Sequence, residues 1–70
     1  MDKRTEIAKN IEMLVKASGK TQTEIALAVG VNRVTVNDYI SGKGLPSVLI
    51  VIKLCKVLDC DYADILGRLD

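Results

Sequence analysis

Apolar residues return along this chain at the spacing of one helix face, in five successive segments. That spacing predicts five short helices and no strand. Ile7, Ile11, Leu14 and Val15 form the stripe of a first helix, which Asp2 or Thr5 can cap and which runs to about Ser18. Glu6, Lys9, Glu12 and Lys16 fall mostly on its other face, Glu12 and Lys16 in the favourable i,i+4 order. Gly19 stops it. Ile25, Ala26 and Val29 mark a second helix, and Val36, Tyr39 and Ile40 a third. Residues 41–46, Ser-Gly-Lys-Gly-Leu-Pro, are a loop by composition. Ser47 then caps a fourth helix from Val48 to about Leu58. Val48, Val51, Ile52, Cys55 and Leu58 are its expected core stripe, which leaves Leu49, Ile50 and Val57 around Lys53 on the opposite side. Asp61 caps a last helix, with Asp64 three residues on, where a carboxylate suits a helix N-terminus. Tyr62, Ile65 and Leu66 are expected to face inward there, with Leu69 a further member of that face.

The rest of the chain is organised around the second and third helices, which a tight turn joins. Thr21 and Glu24 have the spacing of a capping box. Gly30 sits where the chain leaves the second helix, a place that calls for a left-handed backbone. Asn32 is a good N-cap for the third helix. Ala26, four residues before Gly30, is small enough to let two helices cross steeply. Val36, six residues after it, anchors the third helix on the second. Two helices joined in this way are the helix-turn-helix unit, whose second helix lies in the DNA major groove.

With its flanks, the stretch resembles the lambda-repressor-like Cro/CI (XRE) family of DNA-binding domains. The strings that carry the resemblance are TQTEIALAVGVN, VTVNDYISGK, PS before an apolar helix, and LDCDYADIL, and together they span nearly the whole chain. The resemblance implies an all-α bundle of five short helices in one domain over residues 1–70. It also implies a phosphate-binding glutamine at the start of the second helix, where this sequence has Gln22. Many members carry an arginine at the position of Val15 and a glutamate at that of Ile40, usually paired and buried. Both are aliphatic here. A buried pair replaced by packed apolar residues is often neutral or stabilising, so the double replacement fits the fold and predicts that Val15 and Ile40 touch.

Placing Val36, Tyr39 and Ile40 inward turns Val34, Asn37, Asp38 and Ser41 outward, at about 100° per residue, with Arg33 at the side. The first turn of such a helix enters the groove first, which makes Asn32, Arg33, Val34, Asn37 and Asp38 the expected base-reading residues. Arg33 can bind guanine O6 and N7, Asn37 can bind adenine, and Val34 can touch a thymine methyl. Asp38 is repelled by phosphates, so it either accepts from a cytosine amino group or orients Arg33. Alone, an exposed Arg or Asn is an ordinary solvated side chain; the motif around these residues is what gives them a role. Gln22 and Thr23 stand at a helix N-terminus, which favours an anion. Thr35, Ser41 and Lys43 are the further phosphate candidates, with Lys20 beside them.

Composition changes this picture little. The 70 residues carry a formal net charge of +1, so bulk charge does not announce nucleic acid. Residues 1–45 hold seven Lys/Arg against five Asp/Glu, and residues 46–70 three against four, a small basic excess in the half with the reading helix. Cys55 and Cys60 are the only cysteines and there is no histidine, so no zinc site or other cofactor is expected. Two buried reduced thiols in a cytoplasmic protein are the expectation. No segment reads as a signal peptide or a membrane span, because Lys53 and Lys56 interrupt the apolar run from Val48. No small-molecule ligand is evident, and the missing histidine, metal cluster and phosphate-binding glycine loop argue against an enzyme.

The expected function is sequence-specific binding of double-stranded DNA by a small transcriptional regulator, a repressor of the phage or mobile-element kind. The other reading is an antitoxin-like or adaptor module that uses the fold to hold a protein. A two-fold operator calls for a homodimer. Leu49, Ile50 and Val57 are the residues expected at its interface.

Overall fold

A computed structural model describes residues 2–67. It contains α1 (Lys3–Ser18), α2 (Gln22–Val29), α3 (Arg33–Ser41), α4 (Val48–Leu58) and α5 (Tyr62–Leu66), and no strand among the described residues. The all-α, five-helix expectation holds. Local chemistry sets each start. Asp2 accepts from the Thr5 amide at 2.8 Å, and Ser47 Oγ accepts from the Ile50 amide at 3.3 Å. Each such cap satisfies an amide that has no partner within its own helix.

Every helix sends at least one side chain to the centre. Ile11, Ile25, Val29, Val36, Leu54 and Ile65 are fully buried. No polar or charged residue is buried among the described residues. Val15 lies in this core and Ile40, half-buried, packs against the same cluster. Ala8 joins α1's buried face and Leu14 is only half-buried. α2 and α3 pack on each other, α3 also on α1, and α4 on α2, α5 and α1. α1 and α5 are tied by Asn10 Nδ2, which donates to the Ile65 carbonyl at 3.0 Å, and by Lys3 Nζ, which donates to the Leu66 carbonyl at 3.0 Å. The Lys3–Glu6 ion pair at 2.9 Å is exposed and adds little.

α4 departs from the expected partition. Its buried side chains are Val51, Leu54 and Leu58. Leu54 is 1% exposed, although it is not on the expected stripe. Val48 is 79% exposed and so is outside the core, while Ile52 and Cys55 are half-buried. Ile50 and Val57, expected on the far side, are half-buried and pack against the core, so Leu49 alone of that trio is exposed, at 59%. The buried arc is therefore rotated toward Leu54. The reason is that α5 has five residues against eleven in α4, about 8 Å of helix against about 16 Å. So short an element cannot cover the first turn of α4. Tyr62, expected to face inward, is instead 56% exposed: it stands at the first position of α5, whose seat on the core is made by Ile65. Ile65 is buried and Leu66 half-buried, as α5's periodicity requires. Leu69 lies outside the described residues.

Cys55 and Cys60 are free and half-buried. The Cys60 amide donates to the Cys55 carbonyl at 3.0 Å as the chain leaves α4 through Asp59 at φ 54°. This helix ending brings the side chains at its two ends together. No helix among the described residues is long and apolar enough to cross a membrane.

Candidate nucleic-acid interface

The α2–α3 unit is assembled by short-range bonds. Thr21 Oγ1 accepts from the Glu24 amide at 3.1 Å, and the Glu24 carboxylate accepts from the Thr21 amide at 2.9 Å. Those bonds hold the Glu24 carboxyl below its ordinary range. At the other end, Gly30 takes φ 89°, a left-handed conformation that costs glycine nothing. The amides of Gly30 and Val31 both donate to the Ala26 carbonyl, at 2.8 and 3.0 Å. Ala26 and Val36 are both buried, as a close crossing requires.

α3 starts from Asn32. Its Oδ1 accepts from the Thr35 amide at 2.8 Å and from Thr35 Oγ1 at 3.0 Å. Val36 and Tyr39 are buried, which fixes the rotation of the helix. Burial also pushes the Tyr39 phenol above its ordinary pKa. Arg33, Val34 and Asn37 then face solvent, Val34 with 65% of its surface exposed. An apolar side chain that exposed at the start of a helix contributes nothing to the core. Arg33 and Asn37 make no side-chain hydrogen bond among the described residues, and no ion pair joins Arg33 to the half-buried Asp38.

The Asp38 carbonyl winds up the loop that follows. It accepts from Ser41 Oγ at 3.3 Å and from the amides of Lys43 and Gly44 at 3.0 and 3.3 Å. Lys43 is thereby held by its backbone, with its side chain in solvent beside α3.

At the start of α2, Thr23 is exposed and Gln22 is half-buried. Gln22 Oε1 is buried and meets no donor. The expected residues thus divide by what their side chains already do. Asn32, Thr35 and Ser41 spend hydrogen bonds inside the unit. Arg33, Val34, Asn37, Thr23, Lys43 and the nearby Lys20 are exposed. The internal role of Asn32 was legible as a cap. The engagement of the Thr35 and Ser41 hydroxyls carried no sequence signal beyond the residue types, since each bonds three residues back along the same helix.

The arrangement is an outward helix face with a guanidinium, an amide and an apolar tip, beside a helix N-terminus and a lysine. Groups of these kinds can bond to base edges and to phosphates.

Comparison with known proteins agrees with this geometry. The antitoxin PezA of Streptococcus pneumoniae serotype 4 is 34% identical over 62 residues, covering 89% of this chain and 39% of that protein. The cryptic phage CTXphi transcriptional repressor RstR of Vibrio cholerae serotype O1 is 32% identical over 53 residues, covering 76% of this chain and 47% of that protein. The chain therefore spans less than half the length of either relative. The P22 c2 repressor, solved in complex with a synthetic operator, shares the fold at a TM-score of 0.81 and 21% identity, over 87% of this chain and 92% of that one. The helix-turn-helix family pattern matches residues 11–65, and the chain belongs to that family, in its Cro/CI (XRE) type.

Proposed function

We propose that this chain is a DNA-binding transcriptional repressor that lays α3 in the major groove of double-stranded DNA and works as a two-fold pair. Arg33, Val34 and Asn37 read base edges. Asn32 supports them as a cap and offers its amide nitrogen, and Asp38 accepts from a cytosine amino group. Gln22, Thr23 and Lys43 hold phosphates, with Thr35 and Ser41 at the edge of the contact. The observation that carries the reading is the outward face of α3, where Arg33, Val34 and Asn37 are exposed and the Arg33 and Asn37 side chains form no hydrogen bond or ion pair among the described residues. The phage repressor RstR among the relatives supports repression as the sense of regulation.

Selection of sites from random duplex DNA, followed by binding of Arg33→Ala, tests it. The variant should lose about 1–3 kcal/mol on the selected site and relax preference at one base pair. Equal loss on every sequence would reduce Arg33 to a phosphate contact. The similarity to an antitoxin favours a second reading, a module that holds another protein. A pure adaptor of that kind lacks salt-dependent affinity for generic duplex DNA.

A further inference from the structure

We infer that Cys55 and Cys60 form a reversible redox clasp on the turn between α4 and α5: a disulfide closes between them on exposure to a low-molecular-weight disulfide and fixes the start of α5. The inference stands apart from the DNA reading and concerns two thiols which that reading leaves unused. Both cysteines of the chain are free and half-buried. They occupy the two ends of one helix ending. Asp59 takes the left-handed position at φ 54°, and Cys60 follows it. The amides of both donate to the Cys55 carbonyl, that of Cys60 at 3.0 Å. A side-chain contact between the two ends of such a turn frequently accompanies it and is ordinarily apolar. Here a thiol stands at each end.

The backbone brings the pair within bridging range. Standard bond lengths on either side of the 3.0 Å hydrogen bond place the two Cα atoms at most about 7 Å apart, and closer wherever that path bends. Two cysteines must lie within about 7 Å to be joined without moving the backbone. The thiols also act on each other. Burial first, and then the neighbouring Cys55, push the Cys60 thiol up to about 11.

The chemistry balances with one co-reactant, a neutral low-molecular-weight disulfide. The Cys60 thiolate is scarce at neutral pH, so the first attack falls to Cys55. Its sulfur bonds to one reagent sulfur and expels the other as a thiolate, which takes up the proton that Cys55 lost. Cys60 then attacks the Cys55 sulfur of this mixed disulfide and expels the second reagent thiolate, which takes up the Cys60 proton. Two electrons pass from the cysteine sulfurs to the reagent, and two reagent thiols leave. Neutrality matters, because Asp59, Asp61 and Asp64 flank the turn and oppose an anionic oxidant. Excess thiol runs the same exchange backwards.

What the bond holds is the entry to α5. This helix has five residues and is seated by Ile65, whose carbonyl accepts from Asn10. Cys60 lies just before it, and Cys55 belongs to the last turn of α4. Once joined, Cys60 lacks the freedom it would gain when the turn opens, so opening becomes rarer. The α2–α3 unit contains no cysteine and is left as it was.

The test treats the folded whole chain with hydroxyethyl disulfide, followed by intact mass, tryptic mapping without reductant and amide hydrogen exchange. The product should be a monomer lighter by two hydrogens, with no reagent attached. The tryptic peptide Leu54–Lys56 should be linked to the one that begins at Val57. Amides of α5 should exchange about tenfold more slowly than in the reduced protein, with those of α2 and α3 unchanged. Excess dithiol should restore the starting mass and exchange. Reagent should add to Cys60→Ser faster than to Cys55→Ser, and the reverse would overturn the assigned order of attack. Stable reagent adducts on both cysteines, a covalent link between two chains, or closure only in urea would overturn the inference. So would closure that leaves α5 exchange unchanged.

Discussion

Asn32 Oδ1 accepts two hydrogen bonds from one residue, Thr35, from its amide at 2.8 Å and from its hydroxyl at 3.0 Å. The side chain is thus the clamp on the first turn of α3, which carries Arg33 and Val34. Asn32→Ala should cost about 1 kcal/mol in urea unfolding, the usual loss for an N-cap. Asn32→Ser keeps a capping oxygen and should hold nearly all of that stability. Should Asn32→Ser weaken the selected site but not random duplex, the amide nitrogen also reads a base. Unchanged stability in Asn32→Ala would show that the clamp contributes nothing.

Gln22 presents the opposite case, a side chain that costs the fold something. Its Oε1 is buried without a donor. Such an orphaned acceptor costs about 1–3 kcal/mol of desolvation. Gln22→Ala removes it and places the best helix former at the first position of α2. The variant should be as stable as wild type or more so, and should bind specific and random DNA more weakly by similar factors. Thermal unfolding and duplex titration measured on the same preparations read both effects. A loss of stability with no loss of binding would make Gln22 a structural residue.

Val15 is buried and Ile40 packs on the same core. Val15→Arg alone should destabilise by about 3–5 kcal/mol, the cost of a buried charge with no partner. Adding Ile40→Glu should recover part of that loss, with a coupling of about 0.5–3 kcal/mol. The double-mutant cycle in urea gives the coupling directly. Strict additivity would mean that the two positions are not neighbours.

Cys60 makes stability depend on alkaline pH. Burial, then the neighbouring Cys55, then the Asp64 and Asp61 carboxylates push its thiol up to about 11. In the unfolded chain the thiol releases its proton near 9.0. Between those values the unfolded state binds fewer protons, so stability falls as pH rises. The contribution is complete below pH 9 and lost as pH passes through about 11. Urea midpoints of wild type should fall across that window, and those of Cys60→Ala should fall less. Burial of Tyr39 adds a loss above pH 10 that both proteins share. Parallel curves would show that Cys60 is not the group responsible.

The helix ends and the turn between α2 and α3 were legible because their causes lie within a few residues. Thr21 and Glu24 bond to each other, Gly30 supplies its own left-handed backbone, and Ser47 caps the helix that begins beside it. The outward face of α3 was legible too, since Val36 and Tyr39 together pin the rotation of this nine-residue helix. The rotation of α4 was not. Its sequence, VLIVIKLCKVL, is apolar nearly all round, so several stripes fit the helical period equally well. Choosing among them takes knowledge of which neighbours cover the helix and how far they reach. The fold seats Leu54 in the centre, and α5, at five residues, leaves Val48 in solvent. The bond that closes α5 onto α1, from Asn10 to the Ile65 carbonyl, joins residues 55 apart in sequence. No local pattern encodes it, because a backbone carbonyl is the same at every position and only the packed arrangement brings this one within reach.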